Sequence, residues 1–284
     1  MESNNLVKNN QKNFGGLNPV NLGELLNVTV ISDTHYTPPE IVKAILPLLG
    51  GKMSSHIPDI NTPFFKKIMN GPEDGDESAI MVGLGDIWHL TPLLPWQSAL
   101  TDTAMHLFAD LIARQHVPGH FKWIPGNHDP IDKIPQEIQE YLTEEEILIP
   151  GGITFNQKGK HFFAMHGDIF QPGFHNIPFE NNPHIVGIFD QVINLFRKIS
   201  PHNGPNEPYY PYSKGINRFF NLFALKWKKA NLPEEIHLIT GHTHVPIIDE
   251  EERYYNPGLR DILLKCSSCL KIENGIETLE FQEI

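Results

Sequence analysis

Short apolar runs recur along the chain and break off abruptly in polar turns marked by glycine. "LNVTVISDTH" (26–35) is β-branched and reads as a strand that ends at Asp33 and His35. "AIMVGLGD" (79–86) gives a second strand ending at Asp86, and "HFKWIPGNHD" (120–129) a third ending at Asn127, His128 and Asp129. "KHFFAMHGD" (160–168) predicts the return arm of a hairpin with "GITFNQ", turning at Lys158 and Gly159. "EIHLITGHTH" (235–244) is the fifth run, and "CLKIENGIETLEF" near the end carries an Asn274-Gly275 hairpin turn. Between the early strands, 39–49 and 96–115 read as helices.

Strands alternating with helices, followed by late hairpins, predict an α/β sandwich. No repeat or long linker divides the chain, so residues 25–284 read as a single domain behind a loose, flexible lead-in at 1–24. A helical insertion is expected at about 170–233, holding two amphipathic helices. In the second, "INRFFNLFALKWKKA", the aromatics are expected to pack on the core while the lysines face water. The alternative is a lid that meets an anionic, partly apolar substrate or makes peripheral contact with a membrane surface.

The net charge of −12 argues against nucleic acid as a partner bound through the overall field. The acidic clusters "TEEEI" and "DEEER" read as solvated faces. Cys266 and Cys269 form a C-x-x-C pair with no second pair to complete a zinc site, so they read as strand residues. The start of the chain has no apolar signal region, no run reaches the length of a membrane span, and cysteine is sparse. Together these predict a cytoplasmic protein.

The chemistry sits at the strand ends. In extended backbone, residues two apart face the same side, so His242 and His244 address one point. Asp33 and His35 repeat that spacing, and Asp86, Asn127 and His166 each close another apolar run. Functional groups of open α/β sheets gather outside the carboxyl ends of strands. Seven oxygen and nitrogen ligands are too many for one zinc ion and suit two metals sharing a carboxylate. His89 lies close enough in sequence to Asp86 to support the site or face substrate, with simple packing the alternative.

Asp33-x-His35, Gly85-Asp86, Gly126-Asn127-His128-Asp129, His166-Gly167 and Gly241-His242-Thr243-His244, in that order, resemble the calcineurin-like metallophosphoesterase superfamily. "NPG" at 256–258 resembles a downstream feature of the same family. The resemblance implies a four-layer αββα sandwich with a helical insertion. It implies two divalent metal ions (manganese, iron or zinc), with Asp33, His35 and His244 on one and Asn127, His166 and His242 on the other. Asp86 would bridge them. His128 would face the scissile phosphate as general acid or transition-state stabiliser, with Asp129 orienting its ring.

The implied activity is hydrolysis of a phosphate ester (monoester, diester or pyrophosphate) by a metal-bound hydroxide. The helical insertion between "HGD" and "GHTHVP" looks most like the branch of UDP-2,3-diacylglucosamine pyrophosphatases, and so implies a lipid-linked nucleotide as one substrate class. That branch commonly carries arginine where this chain has His128. The competing expectations are a metal-binding interaction module without catalysis and a nuclease of the same superfamily.

Overall fold

Both faces of the central strands are covered by other elements, which is why their sequences run apolar without strict alternation. The computed structural model describes residues 14–34, 79–88, 120–170, 213–243, 246–258, 260–261 and 266–283. The helices expected at 39–49 and 96–115, the first helix of the insertion, and His35, His89 and His244 lie outside the described residues.

Among the described residues, twelve strands form two mixed sheets. The first contains β1 (Val20–Glu24), β5 (Ile153–Gln157), β6 (Lys160–Met165), β7 (Ile236–Thr240), β8 (Ile247–Asp249) and β9 (Tyr254–Asn256), in the order β1-β5-β6-β7-β9-β8. The second contains β2 (Asn27–Ile31), β3 (Ala79–Leu84), β4 (Phe121–Ile124), β10 (Arg260–Asp261), β11 (Cys266–Glu273) and β12 (Ile276–Glu283). Its order is β10-β11-β2-β3-β4, and β12 also pairs with β11. Strands β2, β3 and β4 run parallel to one another, as do β6 and β7. The expected hairpin turns carry positive φ at both central residues, 49° and 80° at Lys158-Gly159, 53° and 78° at Asn274-Gly275. Both match the twist that antiparallel arms require.

Three apolar clusters make four layers. Val28, Val30, Val82 and Leu84 of the second sheet meet Phe155, Phe162, Ala164 and Ile239 of the first. The rings of Phe155 and Phe162 stack there with centroids 4.8 Å apart. On the far side of the second sheet, α1 (Gln136–Glu144) lays Ile138 and Leu142 against Phe121 and Trp123. On the far side of the first sheet, α2 (Ser213–Asn231) sets Ala224 and Trp227 against Phe163, Met165 and Leu238. Strand β6 shows the period-two logic, with Phe162 and Ala164 turned to the central core and Phe163 and Met165 to α2. The αββα sandwich is thus the observed architecture.

Two local expectations change. The lead-in expected over 1–24 is built into the first sheet from residue 14 onward. Phe14 packs on Phe163 at 5.0 Å, and β1 pairs parallel with β5. Its polar "VNLGE" is the sequence of a half-exposed strand at a sheet edge, where an apolar run is not required. In α2 the aromatic Trp227 does pack on the core, but Lys228 does not face water. It is buried and donates to the Glu252 carbonyl at 2.6 Å, while exposed Lys229 pairs with the Glu252 carboxylate at 2.7 Å. The cysteine pair lies in β11, and Cys269 is half-buried and packs against the cluster under α1.

Candidate metal centre

Asp33, Asp86, Asn127, His166 and His242 each stand just past the carboxyl end of a strand, namely β2, β3, β4, β6 and β7. The first three come from one sheet and the histidines from the other. Asp33, Asp86 and His242 hold φ of 54°, 51° and 66°, a left-handed backbone that costs free energy in residues other than glycine.

His166 is the hub. Its Nδ1 lies 2.6 Å from the Leu84 carbonyl, which fixes the Nδ1–H as donor and turns Nε2 toward the other ligands. Around Nε2 stand Asn127 Oδ1 at 3.2 Å, His242 Nδ1 at 3.2 Å and Asp86 Oδ2 at 3.4 Å. Ligand atoms of Asp86, His166 and His242 all lie within 4.8 Å of one another. Four lone-pair atoms at this spacing repel unless a positive charge stands among them, and carboxylate, amide oxygen and imidazole together suit a divalent transition metal. The residues present therefore fit a metal ion.

Burial drives the His166 imidazole down, but the Asp86 carboxylate, helped by Asp33 and Asp168, more than reverses this and holds it well above its ordinary value. His242 is pushed down to about 4, by burial first and then by the charge on His166, so its ring keeps a free lone pair at neutral pH. Among the described residues, its buried Nε2 has no hydrogen-bond partner.

The turns are tied to one another. Asp33 Oδ2 accepts from Ser32 Oγ and, at 2.8 Å, from the His242 N–H. Asp86 Oδ1 accepts from the His128 N–H at 2.8 Å, which places His128 beside the shared carboxylate. Glycine is required at two of these turns. A β-carbon on Gly126 would sit 2.3 Å from Asp86 Oδ1, and one on Gly241 would sit 2.9 Å from Asp33 Oδ2.

Asp129, expected to orient the His128 ring, spends its carboxylate on five N–H donors. They are Gly126 (2.6 Å), Ile87 (2.8 Å), Asp86 (3.0 Å), Trp88 (3.2 Å) and the Trp123 indole (3.2 Å). It stitches the turn after β3 to the turn after β4. Burial and the neighbouring Asp86 charge push its carboxyl up to about 7, while the N–H groups of Gly126 and Trp88 pull the other way. Fully buried Asp129 is thus the floor of the site, with half-buried His128 and exposed Asn127 at its mouth.

Sequence reasoning missed a second ring of side chains. Ser32, Thr34, Asn221 and Thr243 are all buried and hydrogen-bond these turns or their neighbours. Only Asn256 had a signal, in the "NPG" stretch.

A family model described as calcineurin-like phosphoesterase matches residues 26–246. Among solved structures, the chain is similar to a Thermotoga maritima protein determined by NMR in solution. The identity is 15% over 92% of this chain and 100% of that one, with a TM-score of 0.36. It is also similar to a cold-active protein-tyrosine phosphatase of a psychrophilic Shewanella species, at 16% identity over 93% of this chain and 82% of that one, TM-score 0.34. A protein of Aquifex aeolicus matches at 16% identity over 83% of this chain and 90% of that one, TM-score 0.31. No curated protein matches the sequence.

Proposed function

The chain belongs to the calcineurin-like phosphoesterase family, and on that premise we propose that it hydrolyses a phosphate ester at the centre built from Asp86, Asn127, His166 and His242. The observation that carries this reading is the meeting of Asn127 Oδ1, His242 Nδ1 and Asp86 Oδ2 around His166 Nε2 at 3.2, 3.2 and 3.4 Å. By the family resemblance, Asp33, His35 and His244 would supply a second ligand set that shares Asp86. Divalent cations, where these side chains hold them, would supply the positive charge that an anionic ester needs before an anionic nucleophile can approach.

The chain's own groups do the rest. His128, anchored through its backbone to Asp86, donates a ring proton to the departing alkoxide. An imidazole is suited to give up a proton near neutral pH. Asp129 keeps the two turns that carry Asp86 and His128 at fixed separation.

The test is hydrolysis of bis-p-nitrophenyl phosphate by the purified protein with Mn²⁺, with a chelator, and with Asp86→Ala. Turnover that needs Mn²⁺ and falls at least about a hundredfold in the variant is the expected result. Turnover that survives both chelation and the substitution would overturn the reading. A panel of monoesters, diesters and nucleotide pyrophosphates, lipid-linked ones included, then ranks the substrate classes.

A further inference from the structure

His242 sits at the centre of a one-residue turn. The Thr243 N–H donates back to the Gly241 carbonyl at 2.8 Å, with φ of 66° at His242. A three-residue γ-turn of this hand is rare and strained, and such strain persists only where the surroundings over-determine it.

The surroundings here are a buried chain of hydrogen bonds whose directions are mutually consistent. Asn256 Nδ2 donates to the Gly241 carbonyl at 2.8 Å and to Thr243 Oγ1 at 3.0 Å. Thr243 Oγ1 donates to Asn221 Oδ1 at 3.4 Å, and the Tyr254 hydroxyl donates to the same oxygen at 2.8 Å. Thr240 Oγ1 lies 2.8 Å from that hydroxyl and closes the chain on the near side of the turn. Asn221 Oδ1 therefore accepts directly from Thr243 on one flank of the His242 turn and is linked to Thr240 on the other through the Tyr254 hydroxyl.

Asn221 is also out of place by the logic of its own helix. With Ala224 and Lys228 it occupies the buried face of α2, 6% exposed, one turn before Ala224 and bonded to Tyr254 of the apolar cluster behind that face. Helical periodicity alone would put leucine there. A polar residue that breaks the local pattern and is fully engaged marks a constraint other than packing.

We infer that Asn221 is a positioning residue, through which helix α2 holds the His242 turn in its ligand-presenting conformation. The metal part of this inference rests on the function proposed above, but the conformational part does not.

The experiment compares the whole chain with Asn221→Leu, Asn221→Asp and Thr243→Val by two readouts. The first is amide hydrogen exchange of metal-free protein, followed in peptides spanning 240–243 and in α1 as a remote reference. The second is Mn²⁺ titration by calorimetry. Asn221→Leu, which suits the helix face, should keep its melting temperature within a few degrees while exchange at 240–243 quickens about tenfold and Mn²⁺ affinity drops about tenfold. Thr243→Val should follow it, and Asn221→Asp, which keeps the acceptor oxygen, should stay close to the parent. Unchanged exchange at 240–243 in both Asn221→Leu and Thr243→Val would overturn the inference, as would quickening spread equally to α1. A parent protein that takes up no Mn²⁺ while Asn221→Leu still loosens the turn would sink the metal reading and leave the positioning role standing.

Discussion

A β-carbon added to Gly126 would meet Asp86 Oδ1 at 2.3 Å, the Asp86 backbone N at 2.7 Å and His166 Nε2 at 2.8 Å, all below any tolerable contact. The substitution Gly126→Ala must therefore displace two ligands at once. We expect Mn²⁺ affinity, measured by calorimetry, to fall at least about tenfold while the far-ultraviolet circular dichroism is retained. His128→Gln tests a different link. It keeps the backbone N–H on Asp86 and removes the ring acid, so turnover should fall about 10²–10⁴-fold with Mn²⁺ affinity unchanged. At this scale the sequence was informative for the side chains that the fold gathers at the candidate centre. Asp86, Asn127, His166 and His242 follow apolar runs, and His242 stands two residues before His244, a spacing with chemical meaning. It was uninformative for Asp129, because four of its five partners are backbone amides, which leave no mark in the residue letters.

Helix α2 shows what an element's pattern can and cannot tell. Its apolar period placed it correctly on a surface, and the Trp227 ring does lie 5.2 Å from Phe170 and 6.3 Å from Phe163. Trp227→Ala should destabilise the protein by about 3 kcal/mol in urea denaturation, whereas Leu222→Ala, at a site 60% exposed, should cost within about 0.5 kcal/mol. Burial of Lys228 was not legible, since its carbonyl partner on Glu252 belongs to a turn 24 residues away. Strand β1 was missed for the reverse reason. An edge strand needs little apolar character, and "VNLGE" carries little. The β-branched run of β2 and the Asn-Gly turn between β11 and β12 encode their geometry locally, so they could be read directly.

Across the whole molecule, the two sheets are pinned by polar groups as well as by apolar packing. Glu277 of β12 receives Lys160 of β6 at 2.8 Å on both oxygens and the Tyr255 hydroxyl of β9 at 3.2 Å, and His237 of β7 bonds that hydroxyl at 2.9 Å. Burial pushes His237 down to about 4, against the pull of Glu277 and with the help of Lys160, Arg253 and Lys228. The unfolded chain then binds a proton near 6.5 that the folded chain refuses until about 4. Stability from this group is complete above about pH 6.5 and declines as pH falls toward 4, by roughly 1.4 kcal/mol per unit at most. Urea midpoints at pH 7 and pH 5 should show the decline, and His237→Gln should flatten it. No part of this cluster could be inferred from sequence. Residues 160, 237, 255 and 277 meet only because the strands that carry them pack face to face.

The ligands of the candidate centre are divided in the same way. Asp86 belongs to one sheet and His166 to the other, yet their side chains stand 3.4 Å apart. Their gap is set by how one sheet seats on its neighbour through Val82, Leu84, Phe162 and Ala164. The site is in effect a calliper closed on the core. A substitution deep between the sheets, remote from every ligand, opens or shuts the jaws by the distance the sheets shift. On the function proposed above, affinity for a cation becomes a gauge of interior fit, and cavity-forming changes along β3 and β6 should rank in the same order on both scales.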